Sequence, residues 1–80
     1  MTIRLLAFGI ARDILGSAET TIDLPDNATI ETLRTQLYDA YPELTKLRSL
    51  AIARNNEYAN DDEIIVAQDE VVLIPPVSGG

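Results

Sequence analysis

The stretch TIETLRTQLYDAYP, residues 29–42, decides the fold. Thr29 is a suitable N-cap residue, and Pro42 disfavours the α conformation at the residue before it. The spacing therefore predicts one helix of about three turns. Its apolar residues recur three and four positions apart and form a single stripe, namely Ile30, Leu33, Leu37 and the pair Ala40–Tyr41. A helix with one apolar stripe needs another element to cover it, and the flanking sequence supplies a sheet.

Stretches typical of β-strands lie on both sides of this helix. They alternate apolar with polar residues or are rich in β-branched ones, and they are TIRLLAF (2–8), ETTIDL (19–24), LAIAR (50–54), EYA (57–59) and EVVLI (70–74). Between the first two, GIARDILG (9–16) predicts a short helix that ends at its last glycine. NN (55–56) predicts a turn, and NDDEII (60–65) predicts a loop with Ile64 and Ile65 directed inward.

The order of these elements predicts the fold. It runs strand, strand, helix, strand, edge strand, strand, and one long helix across one face of a mixed sheet is the α+β β-grasp, or ubiquitin-like, arrangement. Eighty residues allow only one small domain. We expect that domain to span residues 1–74, with residues 75–80 as an extended tail.

The composition restricts the function. A net charge of −7 with only six basic residues disfavours nucleic acid as a partner. No apolar run approaches the roughly 20 residues of a membrane span, and no signal peptide is evident, so we expect a cytoplasmic protein without a membrane partner. The sequence contains no His and no Cys, which are the commonest general base and the best nucleophile. We therefore expect no metal site and no enzyme activity from the chain on its own.

The first and last strands are apolar on both faces, although one helix covers only one face of a sheet. In the last strand Val71 and Leu73 point one way, and Val72 and Ile74 point the other. Since the first and last strands are neighbours in a β-grasp fold, the uncovered face should carry a contiguous apolar patch of Leu6, Phe8, Val72 and Ile74, joined by Tyr58 from the edge. Such a patch predicts a protein interface. The alternative is that the short helix or the loop at 61–67 folds over it.

The C-terminal segment IPPVSGG has little to offer a core. Pro75 and Pro76 lack amide protons and end the β-ladder in a stiff spacer, and six residues reach at most about 20 Å. Gly79 and Gly80 lack Cβ atoms and can enter a narrow channel. The group delivered is the α-carboxylate of Gly80, which another enzyme must activate before it accepts a nucleophile. The alternative is an ordinary disordered terminus.

Three motifs carry a resemblance to a known family. DEVVLIPPVSGG (69–80), FGIARDILG (8–16) and NNEYA (55–59) together resemble the MoaD-type family, the small sulfur-carrier subunits of molybdopterin synthase. The resemblance spans the whole chain, and its most specific element is the Pro-Pro-Val-Ser-Gly-Gly ending. Two positions depart from the family pattern, since many relatives have a glycine in place of Gln68 and an apolar residue in place of Arg54. The first puts the turn type in question and the second the packing of the third strand.

The resemblance implies a mechanism for the tail. An E1-like, ATP-dependent adenylating enzyme activates Gly80, a sulfur donor converts it to a thiocarboxylate, and the chain itself binds no cofactor. The tail then enters the active site of the large catalytic subunit of the synthase, where its sulfur passes to cyclic pyranopterin monophosphate. The resemblance assigns tail insertion to Pro75, Pro76, Val77, Ser78 and Gly79. It assigns docking to Leu6, Phe8, Arg12, Tyr58, Val72 and Ile74.

Several alternatives stay open at the level of sequence. Arg12 is equally explained as a surface charge paired with Asp13 or Glu19. A β-grasp carrier that feeds sulfur to thiamine thiazole also ends in Gly-Gly. A protein modifier joined through Gly80 to lysines begins with the same adenylate, and a plain binding module would carry the tail incidentally.

Overall fold

The computed structural model describes residues 1–76, which form a five-stranded sheet in the order β2-β1-β5-β3-β4. The elements in chain order are β1 (Thr2–Ala7), α1 (Gly9–Leu15), β2 (Glu19–Asp23), α2 (Ile30–Ala40), a 3₁₀ helix (Pro42–Lys46), β3 (Ala51–Arg54), β4 (Glu57–Tyr58) and β5 (Glu70–Ile74). The β1–β5 pair is parallel and the other three pairs are antiparallel. This mixed sheet with one main helix is the predicted β-grasp architecture.

The core lies between α2 and one face of the sheet. Along β1 and β5 every second residue is buried, and these side chains join the helix stripe and the 3₁₀ helix in one cluster that includes Ile3, Leu5, Ala7, Ile30, Leu33, Leu37, Leu44, Val71 and Leu73. The predicted stripe is wrong at Ala40, which is exposed, while Tyr41 packs partly against the core. Successive residues advance by about 100° around a helix, so Tyr41 lies about 40° from Leu37 around the axis and Ala40 about 60° from it on the other side, at the margin of the stripe.

The start of α2 is fixed by a reciprocal cap. The Thr29 hydroxyl accepts a hydrogen bond from the Thr32 N–H at 3.3 Å, and the Thr32 hydroxyl accepts one from the Thr29 N–H at 3.3 Å. Two of the amide groups that a helix start leaves without partners are satisfied in this way. The predicted N-cap at Thr29 is confirmed.

The β3–β4 hairpin turns on two asparagines. Asn55 and Asn56 have φ of +53° and +72°, and Arg54 pairs with Glu57 across them. Positive φ at both central residues is the requirement of a type I′ hairpin turn, which asparagine tolerates better than most residues. The predicted turn is confirmed.

The loop between β4 and β5 differs from the prediction at one residue. Ile65 is buried, as expected, but Ile64 is 51% exposed. The Ile65 N–H donates to the Ala28 carbonyl at 2.8 Å, and the Ile30 N–H donates to the Glu63 carbonyl at 3.0 Å. These bonds hold the segment extended beside the start of α2. In an extended chain neighbouring side chains point to opposite sides, so burying Ile65 directs Ile64 outward.

Candidate docking groove and tail exit

An apolar groove of about 390 Å³ lies on the face of the sheet opposite α2. Leu6, Val72 and Ile74 form its floor from adjacent strands and are half-buried. Phe8 and Tyr58 flank them and are 58% and 74% exposed. The structure thus brings together five of the six residues predicted for docking. A large apolar surface of this kind on a small domain is typical of an interface.

Neither of the two segments that could have covered the groove does so. The short helix contributes Ala11, and the loop contributes Ile65, to the core cluster on the other side of the sheet. The alternative in which α1 or the loop at 61–67 buries the patch is therefore wrong.

Three groove residues were not predicted, namely Ala53, Asn56 and Glu70. A signal for Glu70 was present in the sequence, because residues 70, 72 and 74 of one strand share a face. Ala53 pairs with Val72 across β3 and β5, and Asn56 enters from the hairpin turn. Those two positions depend on strand pairing, which the sequence pattern alone does not give.

Arg12 is the predicted docking residue that the structure does not bring into the groove. It lines a separate depression beside the C-terminal end of α1, together with Asp13 and residues 16–18. Within residues 1–76 it pairs with neither Asp13 nor Glu19, and Glu19 instead pairs with Arg4 at 3.3 Å. The suggested surface ion pair is therefore wrong, and a role of Arg12 at an interface remains a prediction.

The C-terminal segment leaves the sheet beside the groove. Ile74 ends β5 and lines the groove, and Pro75 and Pro76 follow it outside any strand, both half-buried. The remaining predicted tail residues, which are Val77, Ser78, Gly79 and Gly80, lie outside the described residues. A partner that covers the groove would thus sit next to the point where the tail begins.

A charged cluster anchors the loop that follows β4. Arg54 donates to Asp69 Oδ2 at 3.1 Å and to Glu63 Oε1 at 2.9 Å. The Asn55 side chain donates to Asp69 Oδ1 at 2.8 Å, and the Val66 N–H donates to Asp69 Oδ2 at 2.9 Å. This arginine thus binds both ends of the segment 63–69 to the sheet, which explains why the position accommodates a charged residue where many relatives have an apolar one.

The other family departure needs no compensation. Gln68 lies in the turn before β5, and the positive-φ residues other than glycine among those described are Asn27, Asn55 and Asn56. Because the turn does not place Gln68 in the left-handed region, it does not require a glycine there.

The cluster shifts the pKa values of its members. Burial alone would raise the pKa of Asp69, but the hydrogen bonds from Val66, Asn55 and Arg54 outweigh burial and hold that pKa below its usual value. The pKa of Glu63 is lowered first by the Asn60 N–H and then by Arg54. The pKa of Arg54 is raised, chiefly by its hydrogen bond to Glu63.

These shifts predict that the domain loses stability in acid. Because the folded-state pKa values of Asp69 and Glu63 are depressed, the ionised cluster stabilises the fold fully above about pH 5 and less as pH falls through the folded-state values. We expect Asp69→Asn to lower the free energy of unfolding at pH 7 by about 1–3 kcal/mol, because the hydrogen bonds that the buried carboxylate accepts are weakened or lost when an amide replaces it. The substitution should also flatten the dependence of that free energy on pH. Urea unfolding between pH 2 and pH 7 measures both effects.

Asp62→Asn is the matched control for this measurement, because Asp62 is an exposed carboxylate of the same loop. It should leave the free energy of unfolding nearly unchanged. If the two variants lose equal stability at pH 7, the cluster does not anchor the loop.

Two further classes of site are absent from the part of the chain that the structure describes. None of the helices there is long and apolar enough to cross a bilayer. Residues 1–76 also contain no group of three or more acidic side chains arranged to hold a metal ion.

Comparison with known proteins identifies a family and relatives that share one name. The ThiS family matches residues 5–80. The chain is 39% identical to the molybdopterin synthase sulfur carrier subunit of Chlamydomonas reinhardtii over the full length of both chains. It is 35% identical to that of Arabidopsis thaliana, over 98% of this chain and 82% of the relative.

Solved structures agree with the fold. SAMP1 (small archaeal modifier protein 1) of Haloferax volcanii superimposes with a TM-score of 0.84 at 28% identity over all of both chains. A complex of subunits 1 and 2 of the molybdopterin-converting factor from Helicobacter pylori contains a chain that matches with a TM-score of 0.69 at 27% identity, again over all of both chains. The predicted β-grasp class is confirmed.

Proposed function

The chain belongs to the ThiS family, and we propose that it is the small, sulfur-carrying subunit of a molybdopterin synthase. The resemblance to MoaD-type carriers that the motifs indicated is confirmed by relatives named molybdopterin synthase sulfur carrier subunit at 35% and 39% identity. The observation that carries the proposal is the position of the apolar groove. Its floor runs to Ile74, and the segment that ends in Gly79-Gly80 begins at the next residue.

The proposed reactive group is the α-carboxylate of Gly80. A carboxylate is a poor electrophile, so its oxygen first attacks the α-phosphate of ATP in an E1-like adenylating enzyme, which forms an acyl-adenylate and releases pyrophosphate. A sulfur donor then delivers a sulfide equivalent to the acyl carbon, where a C–S bond forms as the C–O bond to AMP breaks. The product is a thiocarboxylate at the end of the chain.

The thiocarboxylate then donates its sulfur in the large catalytic subunit. Its sulfur forms a C–S bond to a carbon of cyclic pyranopterin monophosphate as a C–O bond at that carbon breaks, and the oxygen leaves with the phosphate or as water. Water then cleaves the resulting thioester, which leaves the sulfur on the substrate and returns a carboxylate to Gly80. Two such transfers build the dithiolene of molybdopterin. Since the chain has no His and no Cys, its own contribution is delivery, and the partner supplies acid–base groups.

The groove is the proposed docking site for the large subunit and for the adenylating enzyme. The Helicobacter pylori relative was solved as a complex of its two subunits, which supports a large-subunit partner for this chain. Covering Phe8 and Tyr58 removes large exposed apolar side chains from water, and each fully buried one contributes about 1.5–3 kcal/mol. Because both partners must receive the same tail, the same surface beside the tail exit suits both.

Intact mass spectrometry tests the proposed chemistry. Incubating the chain with its adenylating enzyme, ATP and a sulfur source should exchange one oxygen for one sulfur, a gain of about 16 Da. A reaction without ATP and a variant lacking Gly80 are the controls, and neither should gain mass. If the complete reaction leaves the mass of the wild-type chain unchanged, the sulfur-carrier proposal fails.

A second function is favoured by one comparison. The structural relative SAMP1 is called a modifier, and conjugation to lysines would begin with the same adenylate. Conjugates visible on a denaturing gel that disappear when Gly80 is deleted would favour this function. Their absence, together with the mass gain, would leave the sulfur carrier.

A further inference from the structure

The exit of the tail lies against the backbone of Gly9. Strands β1 and β5 run parallel, with Ala7 opposite Leu73, so both chains leave the same end of the sheet. Continuing this register by two residues places Gly9 beside Pro75. A Cβ atom at Gly9 would lie 3.4 Å from Pro75 Cγ, which is ordinary van der Waals contact, so a methyl group fits there but a larger side chain has little space toward the ring. The proline ring therefore restricts side chains at position 9 that extend beyond Cβ.

The backbone conformation at Gly9 also favours glycine. Its φ is +54°, in the left-handed region that residues with a side chain rarely adopt. It follows Phe8, which is extended, and this change of conformation turns the chain out of β1 and into α1. The Phe8 carbonyl accepts hydrogen bonds from the N–H groups of Ala11 at 3.1 Å and Arg12 at 3.3 Å, which fix the chain around Gly9.

Within residues 1–76, strand pairing does not hold Pro75. The ladder to β3 ends at the pair Ala51–Ile74, and a proline has no N–H with which to extend it. From Pro75 to Gly80 the chain reaches at most about 20 Å, so a swing of about 15° at Pro75 displaces a fully extended end by about 5 Å. Reacting atoms must approach to about 3–3.5 Å, and a misplacement of 1 Å can cost about 100-fold in rate.

We propose that Gly9 is a positioning residue that sets the direction in which the tail leaves the domain. The inference rests on the proposed function, because it assumes that the tail delivers the reacting group. It adds to that function a residue outside the tail and outside the floor of the groove. Gly9 acts through Pro75 by leaving space for its ring.

Gly16 provides a matched control at the other end of α1. Its φ is +87°, so a side chain there meets a similar backbone restriction, but no atom lies within 4 Å of the position of its Cβ. Substitutions at Gly9 and Gly16 therefore share the backbone strain and differ in the contact with Pro75. Comparing Gly9→Val with Gly16→Val isolates the effect of that contact.

The experiment measures single-turnover sulfur transfer by chains loaded as the thiocarboxylate, in complex with the large subunit. We expect Gly9→Val to lower the transfer rate at least tenfold, with Gly9→Ala and Gly16→Val within about twofold of wild type, because a Cβ atom alone makes only an ordinary contact with Pro75. The Kd for the large subunit should stay within about threefold for all three, since the groove side chains are unchanged. Pro75→Ala removes the ring. In a chain that carries Pro75→Ala, adding Gly9→Val should therefore lower the transfer rate by a smaller factor than it does in the wild-type chain.

Three kinetic outcomes would overturn the proposal. In the first, Gly9→Val and Gly16→Val lose transfer rate equally when they lose thermal stability equally. In the second, the effects of Gly9→Val and Pro75→Ala on the rate are purely additive. In the third, Gly9→Val transfers sulfur at the wild-type rate. An NMR cross-relaxation measurement between the Gly9 Hα protons and the Pro75 ring tests the contact independently of activity. If the contact is present but the loaded wild-type chain transfers no sulfur, the proposed function fails while the geometry stands. If the contact is absent, the inference about Gly9 fails by itself.

Discussion

Deleting Gly80 should abolish sulfur transfer and leave the fold intact. The deletion moves the terminal carboxylate back by about 3.5 Å, which is as long as the distance that separates reacting atoms before attack, and it presents Gly79 as the new terminus. Among residues 1–76 the buried residues of the core cluster extend no further along the chain than Leu73, so we expect the packing within residues 1–76 to stay unchanged. The measurement is product formation by the assembled synthase, compared with thermal unfolding of the isolated chain.

Gly79→Val separates the size of the terminal residues from the length of the tail. It keeps the full reach but adds a side chain where a narrow channel accepts none, and we expect transfer to fall at least 100-fold. Ser78→Ala is the control, since it removes one hydroxyl and preserves both reach and the two terminal glycines. A fall in Tm of more than about 4 °C in the deletion variant, equivalent to roughly 1 kcal/mol for a domain of this size, would show that the tail is structural.

The strands and helices could be predicted because the spacing of apolar residues along the sequence differs between a helix and a strand. The period of the stripe in α2 and the alternation in β1 and β5 identify which residues face the core. The error at Ile64 shows where this reasoning ends. The loop at 60–65 has no repeat of its own, and its phase is set by hydrogen bonds to Ala28 and Ile30, which are far away in sequence. Local pattern cannot supply such a contact.

The groove could be predicted from the fold class, whereas the cluster around Arg54 could not. Leu6 and Val72 are brought together by strand order, which follows from the fold class. The partners of Arg54 are a glutamate nine residues away and an aspartate fifteen residues away, on a loop whose path depends on tertiary packing. Opposite charges are abundant in this sequence, so composition alone does not select one pair among many.

Replacing Phe8 with aspartate should weaken docking of the large subunit about 100-fold or more. The change removes a large apolar side chain from the proposed interface and places an unpaired charge there, and a loss of about 3 kcal/mol corresponds to roughly that factor. The free chain should tolerate the change, because Phe8 is 58% exposed and is the N-cap of α1 without a side-chain hydrogen bond. Aspartate is among the preferred N-cap residues. Ile74→Asp should weaken docking similarly, although Ile74 is half-buried and some stability will be lost with it.

Ile64→Asp distinguishes a specific groove from general loss of apolar surface. Ile64 is 51% exposed, close to Phe8 in exposure, but it lies beside the start of α2 and outside the groove. The Kd for the large subunit, measured by calorimetry, should change less than about threefold in this variant, and urea unfolding should show that all the variants compared are folded. Equal weakening by Phe8→Asp and Ile64→Asp would mean that charge repulsion from an already acidic chain dominates association. A Phe8→Asp chain that binds as tightly as wild type would place the interface elsewhere, because an uncompensated charge cannot be buried against an apolar partner without cost.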